Sequence, residues 1–146
     1  MKLVISAPLQ AQIVAHLEAS YPNEGGGFLV GKQEAGQSIL SEVRPVANRF
    51  ATEEQYHRYL MEEGAFLAAE DDADARGLDL LGYFHSHPNA PAVPSDFDRV
   101  HALPNFLYLI LSVVEGRSAE ARVWHLRPDR SGFDPLPLHI LTDAPG

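Results

Sequence analysis

The order of apolar and polar positions divides the chain into short strand-like runs and a few helical stripes. Leu3-Val4-Ile5 predicts a first strand. Pro8 suits the first turn of a helix. Leu9, Ile13, Leu17 and Ser20 then fall on one helical face, until Tyr21-Pro22 ends it. Gly25-Gly26-Gly27 precedes a short strand at Phe28-Leu29-Val30. Glycines at such a place let the backbone pass close to a neighbour. Gln33 to Gly36 predicts a turn, and Ser38 to Ala47 alternates as a partner strand, with Pro45 near an edge.

Thr52 is a candidate cap for a second helix, with Glu53 and Glu54 in its favoured first turn. Tyr56, Tyr59, Leu60, Phe66 and Leu67 form its apolar stripe. Glu70, Asp71, Asp72 and Asp74 crowd its end against the helix dipole, which predicts a solvated, fraying terminus at Arg76-Gly77. Their spacing matches no calcium-binding EF-hand loop. Leu78 to Phe84 is apolar enough for a buried central strand. Asp96 to His101 predicts a short helix stopped by Pro104, and Phe106 to Val114 a long strand. After a turn at Glu115-Gly116-Arg117-Ser118, Ala119 to Leu126 alternates, with Ala121, Val123 and Leu126 as candidates for burial. Pro135-Leu136-Pro137-Leu138 leads to a short last strand at His139-Ile140-Leu141, and the end from Thr142 is expected to be loose. Strands interleaved with helices in this order predict an α+β fold with a mixed sheet. A length of 146 residues without repeat or long linker predicts one domain, 1–146.

Bulk composition narrows the chemistry. The formal net charge is −9, from 11 Lys and Arg against 20 Asp and Glu, so the basic footprint of a nucleic-acid binder is missing. Cysteine is absent, which excludes disulfides, thiol nucleophiles and Cys-rich zinc sites. Any metal must use His, Asp or Glu. The apolar start, Leu3 to Ile5, is too short for a signal peptide. No run approaches the roughly 18 apolar residues of a membrane helix. The default expectation is a cytoplasmic protein with no membrane partner.

One stretch concentrates the chemistry: Tyr83-Phe84-His85-Ser86-His87-Pro88. Residues i and i+2 of a strand share a face, so His85 and His87 project together and Ser86 turns away. Two imidazoles side by side can share a metal ion. Zinc in hydrolytic sites commonly adds a carboxylate to such nitrogens. Pro88, Pro91 and Pro94 force the chain to turn, and Ser95-Asp96-Phe97-Asp98 is a helix start. Asp96 and Asp98 compete as the carboxylate, and the chemistry alone leaves both open. Ser95 and Asp98 also resemble a capping box. For Asp98 the two roles are expected to compete, because a metal-bound carboxylate has less freedom to reach back to the cap. No Gly-x-Ser-x-Gly elbow surrounds Ser86, so it is not a nucleophile. His16, His57, His101, His125 and His139 stand alone and read as surface or core residues.

The pattern His85-Ser86-His87-Pro88, then Ser95 and Asp98 after the seven residues Pro88 to Pro94, resembles the JAMM (MPN-plus) metalloprotease family in a compact, prokaryotic-type form. Glu24, in Pro22-Asn23-Glu24-Gly25-Gly26-Gly27, stands where that family carries an upstream Glu. Gly26 departs from the Cys found there in many members, at a position that is not a metal ligand. The resemblance implies a curved mixed β-sheet flanked by helices, with the cytidine-deaminase-like core of that family. It implies one Zn2+ per chain held by His85, His87 and Asp98, with Glu24 as general base and Ser95 as oxyanion donor. It further implies a zinc isopeptidase cutting after the C-terminal Gly-Gly of a ubiquitin-like, sulphur-carrier-type protein or its conjugate. Residues 48–55 and 88–93 are expected to line the groove for that tail. The alternatives are a scaffold module without catalysis and a zinc hydrolase of small amides. A homodimer through an apolar edge stays open, because the sequence does not say which edge is exposed.

Overall fold

The structure is a computed structural model, and it describes residues 2–46, 63–102 and 106–141. Strand β1 (Lys2–Ser6) runs directly into helix α1 (Ala7–Ser20). Ser6 makes that junction: its backbone is extended and its Oγ accepts a hydrogen bond from the Leu9 N–H. Pro8 sits in the first turn, where its missing N–H costs nothing. A hairpin follows, of β2 (Gly26–Glu34) and β3 (Gln37–Val46). Helix α2 (Glu63–Ala75) leads to β4 (Asp79–Pro88), and the short helix α3 (Asp96–His101) leads to β5 (Leu107–Val114). Strands β6 (Arg117–Leu126), β7 (Phe133–Leu136) and β8 (Leu138–Leu141) complete the chain.

The eight strands form one curved sheet in the order β7-β6-β5-β4-β2-β3-β1-β8. β1 pairs in parallel with β3 and β8, and β4 with β5; the other pairs are antiparallel. The α+β expectation of a mixed sheet flanked by helices therefore holds. Two apolar layers flank the sheet. Ile13 and Leu17 of α1 pack with Leu3, Leu29, Phe84 and Leu109 on one face. On the other, Ala69 of α2 and Ala102 at the end of α3 pack with Phe28, Tyr83 and Tyr108.

β4 carries a bulge that sets which residues face which layer. Leu29 pairs with Gly82 while Val30 pairs with Leu80, so Leu81 has no partner in β2. Leu81 and Phe84 consequently both face α1, whereas Leu80 and Tyr83 face α2. Gly82 permits the close approach of β5 at this place, since a Cβ there would lie 1.9 Å from the Leu107 carbonyl oxygen.

Several elements differ from the expectation. β2 starts at Gly26 and runs to Glu34, because the glycines pair with Phe84 and His85 instead of forming a loop. β4 continues through both histidines to Pro88. β7, which contains Pro135, is a strand additional to the last one expected at His139-Ile140-Leu141; it lies at the sheet edge, where a missing N–H breaks no ladder. The end of α2 is closed, not frayed. Gly77 is left-handed, Leu78 N–H bonds the Ala73 carbonyl, and Arg76 bridges Asp72 to Glu42 of β3. The predicted start of that helix from Thr52 to Leu60, the stop at Pro104 and the tail from Thr142 lie outside the described residues. No helix among the described residues is long and apolar enough to cross a membrane.

Gly82→Ala is expected to destabilise the protein by at least about 2 kcal/mol, because strands β4 and β5 must part to admit the methyl group. A urea-unfolding midpoint unchanged from that of the wild type would refute this account of the β4–β5 contact.

Candidate metal centre

Strand alternation past Tyr83 places His85 and His87 on the α2 side of β4 and Ser86 on the α1 side. Both imidazoles are buried, at 6% and 7% exposure. Pro88 ends the strand, and the turn that follows is fixed at several points. Asn89 is left-handed, and its N–H bonds the Val113 carbonyl. Ser112 Oγ donates to the Ala90 carbonyl at 2.6 Å. Both backbone groups of Ala92 are held from β6, its N–H by Glu120 Oε1 and its carbonyl by Trp124 Nε1. The chain is thereby returned to the histidines at the start of α3.

There Ser95 and Asp98 form a complete capping box. Ser95 Oγ accepts from the Asp98 N–H at 3.1 Å, and the Ser95 N–H donates to Asp98 Oδ2 at 2.9 Å. The same carboxylate reaches both rings: Oδ1 lies 3.2 Å from His85 Nε2, and Oδ2 lies 3.0 Å from His87 Nε2. Asp98 caps the helix and faces both imidazoles at the same time. A carboxylate has two oxygens with two lone pairs each, so Oδ2 serves the cap and still faces the site. Asp96, the rival carboxylate, is exposed on the first turn of α3.

His85 Nε2 and His87 Nε2 are 3.2 Å apart. His85, His87 and Asp98 thus offer two nitrogens and a carboxylate, all within 4.8 Å of one another, as a group able to hold a metal ion. Ligands about 2.0–2.1 Å from a tetrahedral zinc stand about 3.3 Å apart, so the spacing fits that ion with little adjustment. The His87 ring is also oriented for it. His87 Nδ1 lies 2.9 Å from the Pro91 carbonyl. A carbonyl has no proton to give, so Nδ1 carries a hydrogen, and Nε2 is the nitrogen left to face the cluster and, once deprotonated, to ligate.

Electrostatics follow the same geometry. Burial works to raise the Asp98 carboxyl pKa, but the His85 charge, bonds to both rings and the Ser95 N–H hold it far below the usual carboxylate range. Burial works to lower the His87 pKa. The Asp98 hydrogen bond and charge, the Pro91 carbonyl and the Glu24 charge outweigh it and raise it. Glu24 is itself buried, at 8% exposure, just before β2. The strand that begins two residues later meets β4 at His85, with Gly26 opposite it.

All five residues singled out in the sequence therefore lie at this end of β4, with His85, His87 and Ser95 each in direct contact with Asp98. Of the expected groove, residues 48–55 lie outside the described residues. In the 88–93 segment Ala92 is fully buried and Val93 is exposed, so only part of it forms a surface. The supports at Ser112, Glu120 and Trp124 left no trace in the sequence, since each bond joins positions more than twenty residues apart that no local spacing relates.

Among curated proteins, the chain is 34% identical over 111 residues to a probable TtuB-protein conjugate cleaving protease of Thermus thermophilus, covering 74% of this chain and 70% of the relative. It is 29% identical over 116 residues to a desampylase of Haloferax volcanii, covering 76% and 81%. A solved protein of Desulfitobacterium hafniense superposes with a TM-score of 0.82 at 26% identity, over 97% of this chain and 94% of that one. A JAB1/MPN domain protein from Archaeoglobus fulgidus shares the fold, with a TM-score of 0.60 at 17% identity, over 97% and 99% of the two chains. Residues 6–127 match the family described as prokaryotic homologs of the JAB domain, and the chain belongs to that family.

Proposed function

We propose that the chain is a zinc-dependent isopeptidase that hydrolyses the amide bond after the C-terminal Gly-Gly of a ubiquitin-like, sulphur-carrier-type protein. The observation that carries the reading is the convergence of His85 Nε2, His87 Nε2 and the Asp98 carboxylate beside a buried Glu24. The names of the two relatives, one a protease cleaving a protein conjugate and the other a desampylase, support a substrate in which one protein is joined to another.

His85, His87 and Asp98 would hold the ion. Once bound, zinc supplies a Lewis acid that acidifies a water molecule and polarises the scissile carbonyl. Glu24 takes the proton of the attacking water on its carboxylate and hands it to the nitrogen of the leaving amine. The C–N bond breaks, leaving a carboxylate on the Gly-Gly tail and a free amine on the partner. The Ser95 hydroxyl accepts from the Asp98 N–H and keeps its own hydrogen, which it donates to the carbonyl oxygen as negative charge builds there. A donor of this kind is typically worth about 2.7–4 kcal/mol. A Gly-Gly tail suits a narrow approach, because glycine brings no side chain to clash.

The test is zinc content and cleavage of a Gly-Gly-tailed fusion, measured on the same preparations. Wild type is expected to hold about one zinc per chain and to release the tail. Glu24→Gln is expected to keep the zinc and lose at least about 10²-fold in kcat, whereas His87→Ala loses both. Near-normal turnover by Glu24→Gln refutes the assignment of the base. A wild type that binds no zinc after reconstitution refutes the enzyme reading.

Zinc binding is expected to release protons and to weaken with falling pH. Protonated His87 cannot ligate, and its raised pKa extends proton competition above the ordinary value of about 6.5. Calorimetric titration in two buffers of different ionisation enthalpy measures the release; equal affinity at pH 6 and pH 8 contradicts it.

A further inference from the structure

Ser86 lies between the two histidines and is fully buried, yet it faces away from the metal centre and the reaction above does not use it. Its bonds go elsewhere. Its N–H donates to the Gly25 carbonyl at 3.1 Å, and its Oγ accepts the Gly25 N–H at 2.9 Å. In a regular antiparallel pair the second of these would be a backbone bond to the facing carbonyl. Here the β2 ladder stops at Gly26 and His85, and the serine hydroxyl takes over as acceptor. Gly25 is thus clasped at both polar atoms by one residue.

Gly25 is also closed in from the other side. A Cβ at Gly25 would meet Ser20 Oγ at 2.4 Å and Leu17 Cδ2 at 3.2 Å, so α1 packs directly against it. One residue further, His16 Nε2 donates to the Gly26 carbonyl at 3.0 Å. The backbone that follows Glu24 is therefore fixed between α1 and β4.

We propose that Ser86 is a positioning residue for Glu24: its clasp on Gly25 fixes the backbone from which the Glu24 carboxylate reaches the site. This rests on Glu24 being the general base. The motif then couples two functions in three residues, with the histidines addressing the metal from one strand face and the serine addressing the base from the other.

Ser86→Ala, Ser86→Thr and wild type are compared as zinc-loaded proteins in three measurements: zinc content, the kcat and KM for a Gly-Gly-tailed fusion, and the hydrogen-exchange rate of the Gly25 amide by NMR. Ser86→Ala is expected to keep one zinc per chain and a KM within about twofold of wild type. Its kcat falls at least about tenfold and Gly25 exchange quickens at least about tenfold, and Ser86→Thr restores both. Unchanged kcat and exchange, or loss of zinc with the exchange unchanged, overturns the inference. Gly25 exchange reads the clasp whether or not the fusion is cleaved. A zinc-loaded wild type that cleaves nothing therefore sinks the proposed function, while an active wild type matched by Ser86→Ala sinks the clasp alone. Should Ser86→Ala not fold, Ser86→Cys retains the volume with a weaker acceptor and is judged by the same readouts.

Discussion

Strand β4 has paired neighbours along both edges, β2 and β5, and packed layers on both faces. It therefore has no freedom to slide or rotate: a slip of one residue would exchange its two faces. The bulge at Leu81, and Gly82 against the Leu107 carbonyl, lock that register. With the register locked, His85 and His87 must point to the α2 side and Ser86 to the α1 side. The candidate site is arranged around this fixed alternation.

Three separate segments are brought to the end of β4 by different means. Glu24 arrives through the antiparallel pairing of β2, which places Gly26 against His85. Asp98 arrives on α3, whose first turn is closed by its own carboxylate. The 89–95 turn between β4 and α3 is held by Ser112, Glu120 and Trp124 of the neighbouring strands. Its Pro91 carbonyl sets the proton position on His87. A buried pair of imidazoles facing a carboxylate at 3.0–3.2 Å is costly to assemble unless those charges and lone pairs are used. That cost is met here by distributing the Asp98 lone pairs between the helix cap and the two rings.

Membership of the prokaryotic JAB family accounts for the order of these segments, and the physics accounts for their precision. The carboxylate that caps α3 is the one that faces the histidines, so the helix cannot shift without disturbing the site. The strand that carries the histidines also clasps the residue after Glu24. The proposed metal ligands and the proposed base thus share a single rigid support, as a site that must hold reacting groups within a fraction of an ångström requires.

The periodicity of the sequence determined much of this. Strict i, i+2 spacing paired His85 with His87, the prolines forced the turn, and Ser95 started a helix. Those are local consequences of backbone geometry, and they needed no partner. The helix α1, the strands β1 and β5 and the mixed sheet were legible for the same reason. Other features were decided only by tertiary structure. Pro135 belongs to a strand because that strand lies at the sheet edge, and the glycines at 26 and 27 belong to one because β4 lies beside them. The acidic end of α2 is closed because Arg76 meets Glu42, 34 positions earlier. Asp98 can cap and face the histidines together because the fold brings the two demands to one carboxylate from the same side. Local spacing carries direction, but only the packed chain decides what stands opposite each group, and so which lone pairs are already taken.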